Sequence, residues 1–141
     1  MNQSKFYQEW FKKAEDDERS LKAILKEDGA PSTACFLAQQ IAEKYLKGFL
    51  VFHQREFPKV HQLEKLLQLC KEIDPSFKEL NEEAVLLSEF YIESRYPGDW
   101  PEFSWNDAKE AYNAAIRIKE FVLNSIRKSN RPAKLGEDSV G

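Results

Sequence analysis

The 141-residue chain has little cysteine, which argues against a cysteine-based metal site, and no long hydrophobic run, which argues against a membrane-spanning protein. Its two cysteines, Cys35 and Cys70, form no Cys-x-x-Cys or Cys/His spacing, so we expect buried reduced thiols and assign neither a metal nor a cofactor. No segment is apolar enough to span a bilayer, and the N-terminal residues lead into an amphipathic segment. We therefore expect a cytoplasmic protein without a membrane anchor or a signal peptide.

Excess positive charge and the common catalytic motifs are also missing. The formal net charge is −3, which argues against tight, sequence-independent binding of nucleic acid over a broad basic surface but allows a local basic pocket. The sequence contains no glycine-rich phosphate loop, no Ser/His/Asp set and no paired-carboxylate motif. Its two histidines, His53 and His61, flank a loop without a carboxylate pattern and give only a weak metal signal.

What the sequence does contain is helical periodicity in five segments, with no convincing strand. The first segment runs from about residue 5 to 28, with Ser4 as a possible N-cap, and the second begins at a cap on Ser32 or Thr33 and ends near His53. A shorter third segment carries a leucine-rich face.

Two local signals mark the beginnings of the fourth and fifth helices. Asp74 followed by proline opens the fourth, which we expect to continue through Tyr91, and Ser104 with Asp107 forms a capping box for the fifth. Short connections favour antiparallel neighbours, so we predict an all-α, antiparallel up-and-down helical bundle of four long helices plus a shorter one. It forms a single domain over residues 1–129, followed by a mobile tail at 130–141.

The second helix is apolar nearly all round, except for a compact polar sector. Gln40, Lys44 and Lys47 fall together on that sector at 3.6 residues per turn. Lysines on a helix that several neighbours bury must reach water, acidic partners or a phosphate-bearing ligand. The sequence alone leaves these three alternatives open.

Two charged residues occupy positions where the helical period calls for apolar side chains. Asp17 follows the apolar stripe of the first helix, and Arg95 comes one turn after Tyr91. An unpaired buried charge is costly, so we expect Asp17 and Arg95 either to form an internal ion pair or, for Arg95, to line a pocket. His61 lies at a probable helix start, where histidine is more often a hydrogen-bonding residue than a catalyst.

An aromatic-rich loop precedes the fifth helix. Its Trp100 and Phe103, with Trp105 just beyond, are typical of residues that cover a bundle end or join a dimer interface. Stacking on nucleic-acid bases is the alternative interpretation.

Four pieces of the sequence, in order, resemble the HEPN family, the higher eukaryote and prokaryote nucleotide-binding domain. The resemblance covers roughly residues 5 to 127, and its most specific element is Gln-Gln-x-Ala-Glu-Lys-x-Leu-Lys. The pieces are Trp10 with Ala14 and Asp17, then Phe36 through Lys47, then His61-Gln62-Leu63 with Leu66, then Ser94-Arg95-Tyr96-Pro97.

The resemblance implies an antiparallel helical bundle that is frequently a homodimer and often works with a small nucleotidyltransferase as a toxin and antitoxin pair. Many members of the family are metal-independent RNA endonucleases that use an Arg followed, after a short spacer, by a His. Arg95 matches the arginine, but no histidine follows His61 in this chain. A general acid or base is therefore missing from its expected place.

These observations lead to one hypothesis and two alternatives. The hypothesis is a HEPN-domain protein without efficient catalysis of its own, which binds a nucleotide or RNA phosphate through Lys44, Lys47 and Arg95. His61, Tyr96 and Gln40 complete the expected ligand-binding residues. The alternatives are an RNA endonuclease toxin with an altered Arg/His motif, and a purely structural dimeric adaptor.

Overall fold

The structure, a computed structural model, describes residues 6–92, 96, 98 and 100–129, and every regular element in this part of the chain is helical. The elements are α1 (Tyr7–Glu27), α2 (Pro31–Phe52), α3 (Leu63–Ile73), a 3₁₀ helix (Pro75–Leu80), α4 (Asn81–Ser88) and α5 (Trp105–Ser129). The all-α bundle predicted from periodicity is confirmed. Ser4, Arg95 and the predicted tail at 130–141 lie outside the described residues.

The boundary between α1 and α2 is set by backbone geometry and a proline. Asp28 adopts the left-handed conformation, with φ 58° and ψ 45°, and closes α1. α2 then begins at Pro31, with Ala30 as its N-cap, so the predicted caps at Ser32 and Thr33 are wrong. The physical reason is that proline suits the first helical position, where an N–H would have no intrahelical partner.

α2 is the central helix, as its nearly continuous apolar surface predicts. It packs against α1, α3, α4 and α5. α1 lies antiparallel to it, since the ring of Phe11 contacts Tyr45 at a centroid distance of 4.9 Å and Tyr7 contacts Phe52 at 5.0 Å. α5 contributes a buried seam of small and aliphatic residues: Ala108, Ala111, Ala115, Ile118 and Val122.

α3 runs in the same direction as α2, because residues 53–62 return along α2 before α3 begins. Phe57 in this segment packs edge-on against Trp10 of α1, with ring centroids 6.4 Å apart. Farther along, His61 reaches Glu43 near the middle of α2, and Cys70 of α3 lies beside the carbonyl of Leu46. This return brings His61 to the polar sector of α2.

The fourth predicted helix differs from expectation in its form and its end. Asp74 caps it as predicted, accepting a 3.0 Å hydrogen bond from the backbone N–H of Ser76. The first six residues are 3₁₀, a geometry that suits the buried pair Phe77 and Leu80 because its period is three residues. α4 ends at Ser88, so Tyr91 lies beyond the helix rather than on it.

Several smaller expectations are also answered. The Ser104 hydroxyl accepts from the N–H of Asp107 at 3.0 Å and the Asp107 carboxylate accepts from the N–H of Ser104 at 2.9 Å, which confirms the capping box. Cys35 and Cys70 are buried free thiols, and burial raises the pKa of Cys35 to about 11. Among the described helices, none has the length and apolar character needed to cross a membrane.

Candidate functional site

A buried carboxylate, that of Glu43, lies at the centre of the polar sector of α2. Glu43 is only 5% exposed, and its Oε2 atom is 2.8 Å from Nζ of Lys47 and 3.0 Å from Nδ1 of His61. Its Oε1 atom accepts hydrogen bonds from the side-chain amides of Gln39, at 3.2 Å, and Gln40, at 3.3 Å. Four side chains from α2 and the returning segment therefore meet at one carboxylate.

The two glutamine side chains connect this cluster to the backbone. Gln39 also donates from Nε2 to the carbonyl oxygen of His61 at 3.1 Å, which fixes the orientation of its amide. Its own oxygen accepts from Gln40 at 2.8 Å. Gln39 thus holds the main chain of His61 while Glu43 holds its ring. We call the five residues Gln39, Gln40, Glu43, Lys47 and His61 the Glu43 cluster.

Lys47 is an internal member of the Glu43 cluster. The residue is 7% exposed, and its ammonium lies 5.5 Å from the ring centroid of Trp10 and 5.8 Å from that of Phe57. Both rings present a negative face to cations. Of the three alternatives that the sequence left open for this lysine, the structure places it beside an acidic partner.

Lys44 forms a separate ion pair with Asp17 across the α1–α2 contact. Its Nζ atom is 2.5 Å from the Asp17 carboxylate, and each side chain is about one-fifth exposed, at 21% and 20%. Asp17 therefore has a partner within the described part of the chain. Its predicted pairing with Arg95 concerns a residue outside that part.

His61 is the member of the Glu43 cluster that faces outward. Its side chain is 48% exposed, and its ring stacks on that of Tyr91 with a centroid distance of 4.5 Å and an interplanar angle of 14°. Gln62 and Ser88 line a pocket of about 290 Å³ with these two rings. Tyr96 is 73% exposed.

A larger, mostly apolar cavity of about 690 Å³ lies at the beginning of α2. Pro31, Phe36, Trp100 and Phe103 line it. Phe103 packs edge-on against Phe90, with ring centroids 4.7 Å apart, and its N–H donates to the Ser32 hydroxyl at 2.8 Å. These contacts fit the interpretation of the loop aromatics as a cover for this part of the bundle.

The site combines residues that were predicted with two that were missed. Sequence reasoning named Gln40, Lys44, Lys47 and His61 but overlooked Glu43 and Gln39. These two residues connect Gln40, Lys47 and His61, while Lys44 pairs with Asp17. The spacing itself carried the signal: Gln39, Glu43 and Lys47 are successive i, i+4 neighbours on one helical face. Among the described residues, no group of three or more His, Cys, Asp or Glu side chains could hold a metal ion.

Comparison with known proteins agrees with this fold over nearly the whole described chain. The family model of the HEPN domain matches residues 7–126. An archaeal HEPN homologue of known crystal structure is 32% identical, with a TM-score of 0.69, and the match covers 85% of this chain and 97% of the homologue. The crystal structure of TT1696 from Thermus thermophilus is 28% identical, with a TM-score of 0.70 and coverage of 88% and 98%. No curated protein matches the chain.

Proposed function

The chain belongs to the HEPN domain family, and on that premise we propose that it binds a phosphate group of a nucleotide or an RNA. The binding face is the outward side of the Glu43 cluster, and the protein acts with a small nucleotidyltransferase partner in a toxin-antitoxin-like module. Efficient catalysis is not part of this role, because the family's histidine after Arg95 is absent from the sequence.

The observation that carries the proposal is the half-exposed imidazole of His61 at the mouth of a polar pocket. Glu43 holds one ring nitrogen, Tyr91 supports the ring face, and the Ser88 and Gln62 side chains lie beside it. Such convergence of polar groups at a small concave surface is typical of ligand sites. A phosphate suits it, because imidazole and amide groups donate hydrogen bonds to phosphate oxygens. The Ser88 hydroxyl lines the pocket but donates to the carbonyl of Ala84 and the carboxylate of Glu64.

The predicted ligand-binding residues take different roles in this proposal. His61 contacts the phosphate, whereas Gln40, whose amide nitrogen already donates to Gln39 and Glu43, supports the cluster. Lys44 lies on the same helix but is paired with Asp17. Arg95 and Tyr96, which follow Tyr91 by four and five residues in the sequence, complete the site. Lys47 acts from inside, since it is buried against Glu43 rather than presented to a ligand.

The wider assembly is part of the same proposal. The protein forms a homodimer, as the family resemblance implies, and the nucleotidyltransferase is its second partner. Residues 1–129 form the single domain that makes these contacts. A cytoplasmic location accords with the two buried, reduced thiols.

Ligand titration tests the binding proposal directly. A panel of nucleotides and short RNAs is titrated against the wild type, Arg95→Ala and His61→Gln, with Arg127→Ala as the control. Arg127 is exposed on the last turn of α5, where it donates to Asn124 one turn earlier. We expect binding that both site variants weaken and the control retains. Circular dichroism verifies that each variant is folded, and failure of the wild type to bind any probe would refute the proposal.

A second candidate function, a metal-independent RNA endonuclease, is favoured by the contact between His61 and Glu43. A carboxylate that orients an imidazole is a common arrangement in general acid–base catalysis. In this alternative His61 supplies, from the start of α3, the proton-transfer group that is missing after Arg95. It predicts growth arrest on expression and RNA cleavage that survives a chelator but is lost in both Arg95→Ala and His61→Gln. Inert expression would argue for binding alone.

A further inference from the structure

We infer that Glu43 is a positioning residue that fixes the tautomer of His61, directing Nε2 toward the ligand. The inference rests on the proposed phosphate-binding function and assigns a specific atom to it. Nδ1 of His61 carries a proton donated to Glu43, and Nε2 is the nitrogen that meets the phosphate. The Glu43 cluster is therefore the support of the site rather than its ligand-binding surface.

The position of the proton follows from the neighbours of Glu43. The Lys47 ammonium can donate hydrogen bonds but cannot accept them. It donates to Oε2 of Glu43, the same atom that lies 3.0 Å from Nδ1 of His61. The amide nitrogens of Gln39 and Gln40 donate to the other oxygen. Three of the four partners of Glu43 can only donate, and Lys47 balances its charge, so we assign Glu43 as the acceptor of the fourth contact and Nδ1 of His61 as its donor.

The charge of Glu43 is balanced inside the protein, which lets it hold His61 without a counterion from solvent. The Lys47 ammonium lies 2.8 Å away, and both residues have side chains less than one-tenth exposed. The rings of Trp10 and Phe57 cover Lys47. An ion pair in such surroundings is screened much less than a surface pair. The carboxylate consequently has a fixed position from which to orient the imidazole.

Three contacts fix the remaining freedom of the His61 ring. Gln39 holds the His61 backbone carbonyl, Glu43 holds Nδ1, and Tyr91 lies nearly parallel to the ring face. Since the two ring nitrogens lie on different edges, fixing Nδ1 toward α2 leaves the Nε2 edge on the outward side. With both nitrogens protonated, the ring donates Nδ1–H to Glu43 and Nε2–H to a phosphate oxygen, which links the two anions.

Nitrogen NMR of the imidazole tests the orientation without any ligand. The measurement uses ¹⁵N-labelled wild-type protein at alkaline pH, where imidazole is neutral. We expect the ¹⁵N chemical shifts of His61 to show a proton on Nδ1 and none on Nε2. The signal that disappears in His61→Gln is assigned to His61, because His53 is then the remaining histidine of the sequence. A proton on Nε2 would overturn the inference, whatever the protein binds.

Inorganic phosphate is the probe for the second half of the test. At neutral pH we expect added phosphate to change the ¹⁵N chemical shift of Nε2 of His61 more than that of Nδ1. A wild-type protein with the proton on Nδ1 and no response to phosphate would support the orientation while refuting phosphate binding. The two failures are therefore distinguishable.

Variants of Glu43 show whether the carboxylate is responsible. Glu43→Gln leaves Lys47 buried without its counter-charge, so Glu43→Gln combined with Lys47→Met serves as a second variant. In whichever is folded, we expect a mixture of His61 tautomers and phosphate binding about tenfold weaker, by analogy with the low end of the loss on removing a residue that supports a metal-binding histidine. The control is Glu72→Gln, an exposed carboxylate paired with Arg55. A folded variant with unchanged tautomer would overturn the role of Glu43.

Discussion

The ring of Phe11 on α1 lies directly against the backbone of Gly48 on α2. A Cβ atom added at Gly48 would lie 2.8 Å from Cδ1 of Phe11 and closer still to Cε1, which is too near for unbonded carbons. Phe11 is itself held by the rings of Tyr7 and Tyr45, at 5.4 Å and 4.9 Å. The glycine is thus a requirement of the α1–α2 contact.

Gly48→Ala should destabilise the protein although alanine favours helices. The higher helix propensity of alanine stabilises the fold by up to about 1 kcal/mol. Displacing the packed ring of Phe11 destabilises it by about 1–3 kcal/mol. We expect the free energy of unfolding, measured with urea, to fall by about 1 kcal/mol or more. Gly98→Ala is the control, because, apart from its chain neighbours, no atom of the described residues lies within 4 Å of a Cβ added there. Equal stability of Gly48→Ala and the wild type would contradict the tight packing.

The ion pair between Asp17 and Lys44 should contribute modestly to stability. Both side chains are about one-fifth exposed, so water screens the pair in part. A double-mutant cycle of Asp17→Asn, Lys44→Gln and the double variant should give a coupling energy of about 1 kcal/mol. Added salt should reduce this coupling. A coupling energy of zero at low salt would show that the two charges do not interact.

Removal of the cap at the start of α5 should cost about 1 kcal/mol of stability. Ser104→Ala removes the hydroxyl that accepts from the N–H of Asp107 and leaves that donor without its protein partner. Thermal unfolding of this variant is compared with Ser20→Ala, a substitution at an exposed position inside α1. We expect a lower Tm only for Ser104→Ala, and a similar loss in both variants would contradict the capping role.

Stability should depend on the protonation of His53. Its ring lies between those of Phe49, at 4.6 Å, and Phe52, at 5.0 Å, and burial lowers its pKa although Asp74 opposes the shift. Folding favours the neutral form of the His53 ring. The stability that depends on this neutral form is therefore fully present above about pH 6.5, the ordinary pKa of histidine. It is lost as the pH falls through the lowered pKa of the folded state. Urea unfolding across this range measures the loss.

His53→Phe is the informative variant for this pH dependence. It keeps an aromatic ring at the site and removes the titrating group, so the decline in stability below about pH 6.5 should become shallower. His61→Gln, which alters the half-exposed histidine, should leave the contribution of His53 in place. The same decline in His53→Phe and wild type would assign it to other groups.

The parts of the fold that were predictable are those fixed by local patterns. The apolar surface of α2 and the capping box at Ser104 each depend on residues within a few turns of one another. The start of α2 at Pro31 was missed because two hydroxyl residues after it offered equally good caps. The 3₁₀ helix after Asp74 was missed because its buried residues fit both helical periods.

The site was harder to predict because it depends on chain direction. Glu43 and Lys47 could have been paired from their spacing alone. The contact of His61 with Glu43 could not, since it requires residues 53–62 to return along α2 rather than lead directly into an antiparallel helix. The partner of Asp17 depends likewise on how α1 and α2 are aligned, information that no local pattern contains.

The returning segment also acts as a tether with spare length. Between Phe52 and its contact with Glu43, the chain must travel back about nine helical residues, or about 14 Å. The nine residues from 53 to 61 could span about 30 Å if fully extended. Because the segment is longer than the distance it must cover, its length does not set the position of His61. The position is set by the contact of Phe57 with Trp10 and by the hydrogen bonds of Gln39 and Glu43 to His61. Variation in length between Phe52 and Phe57 is therefore compatible with an unchanged site.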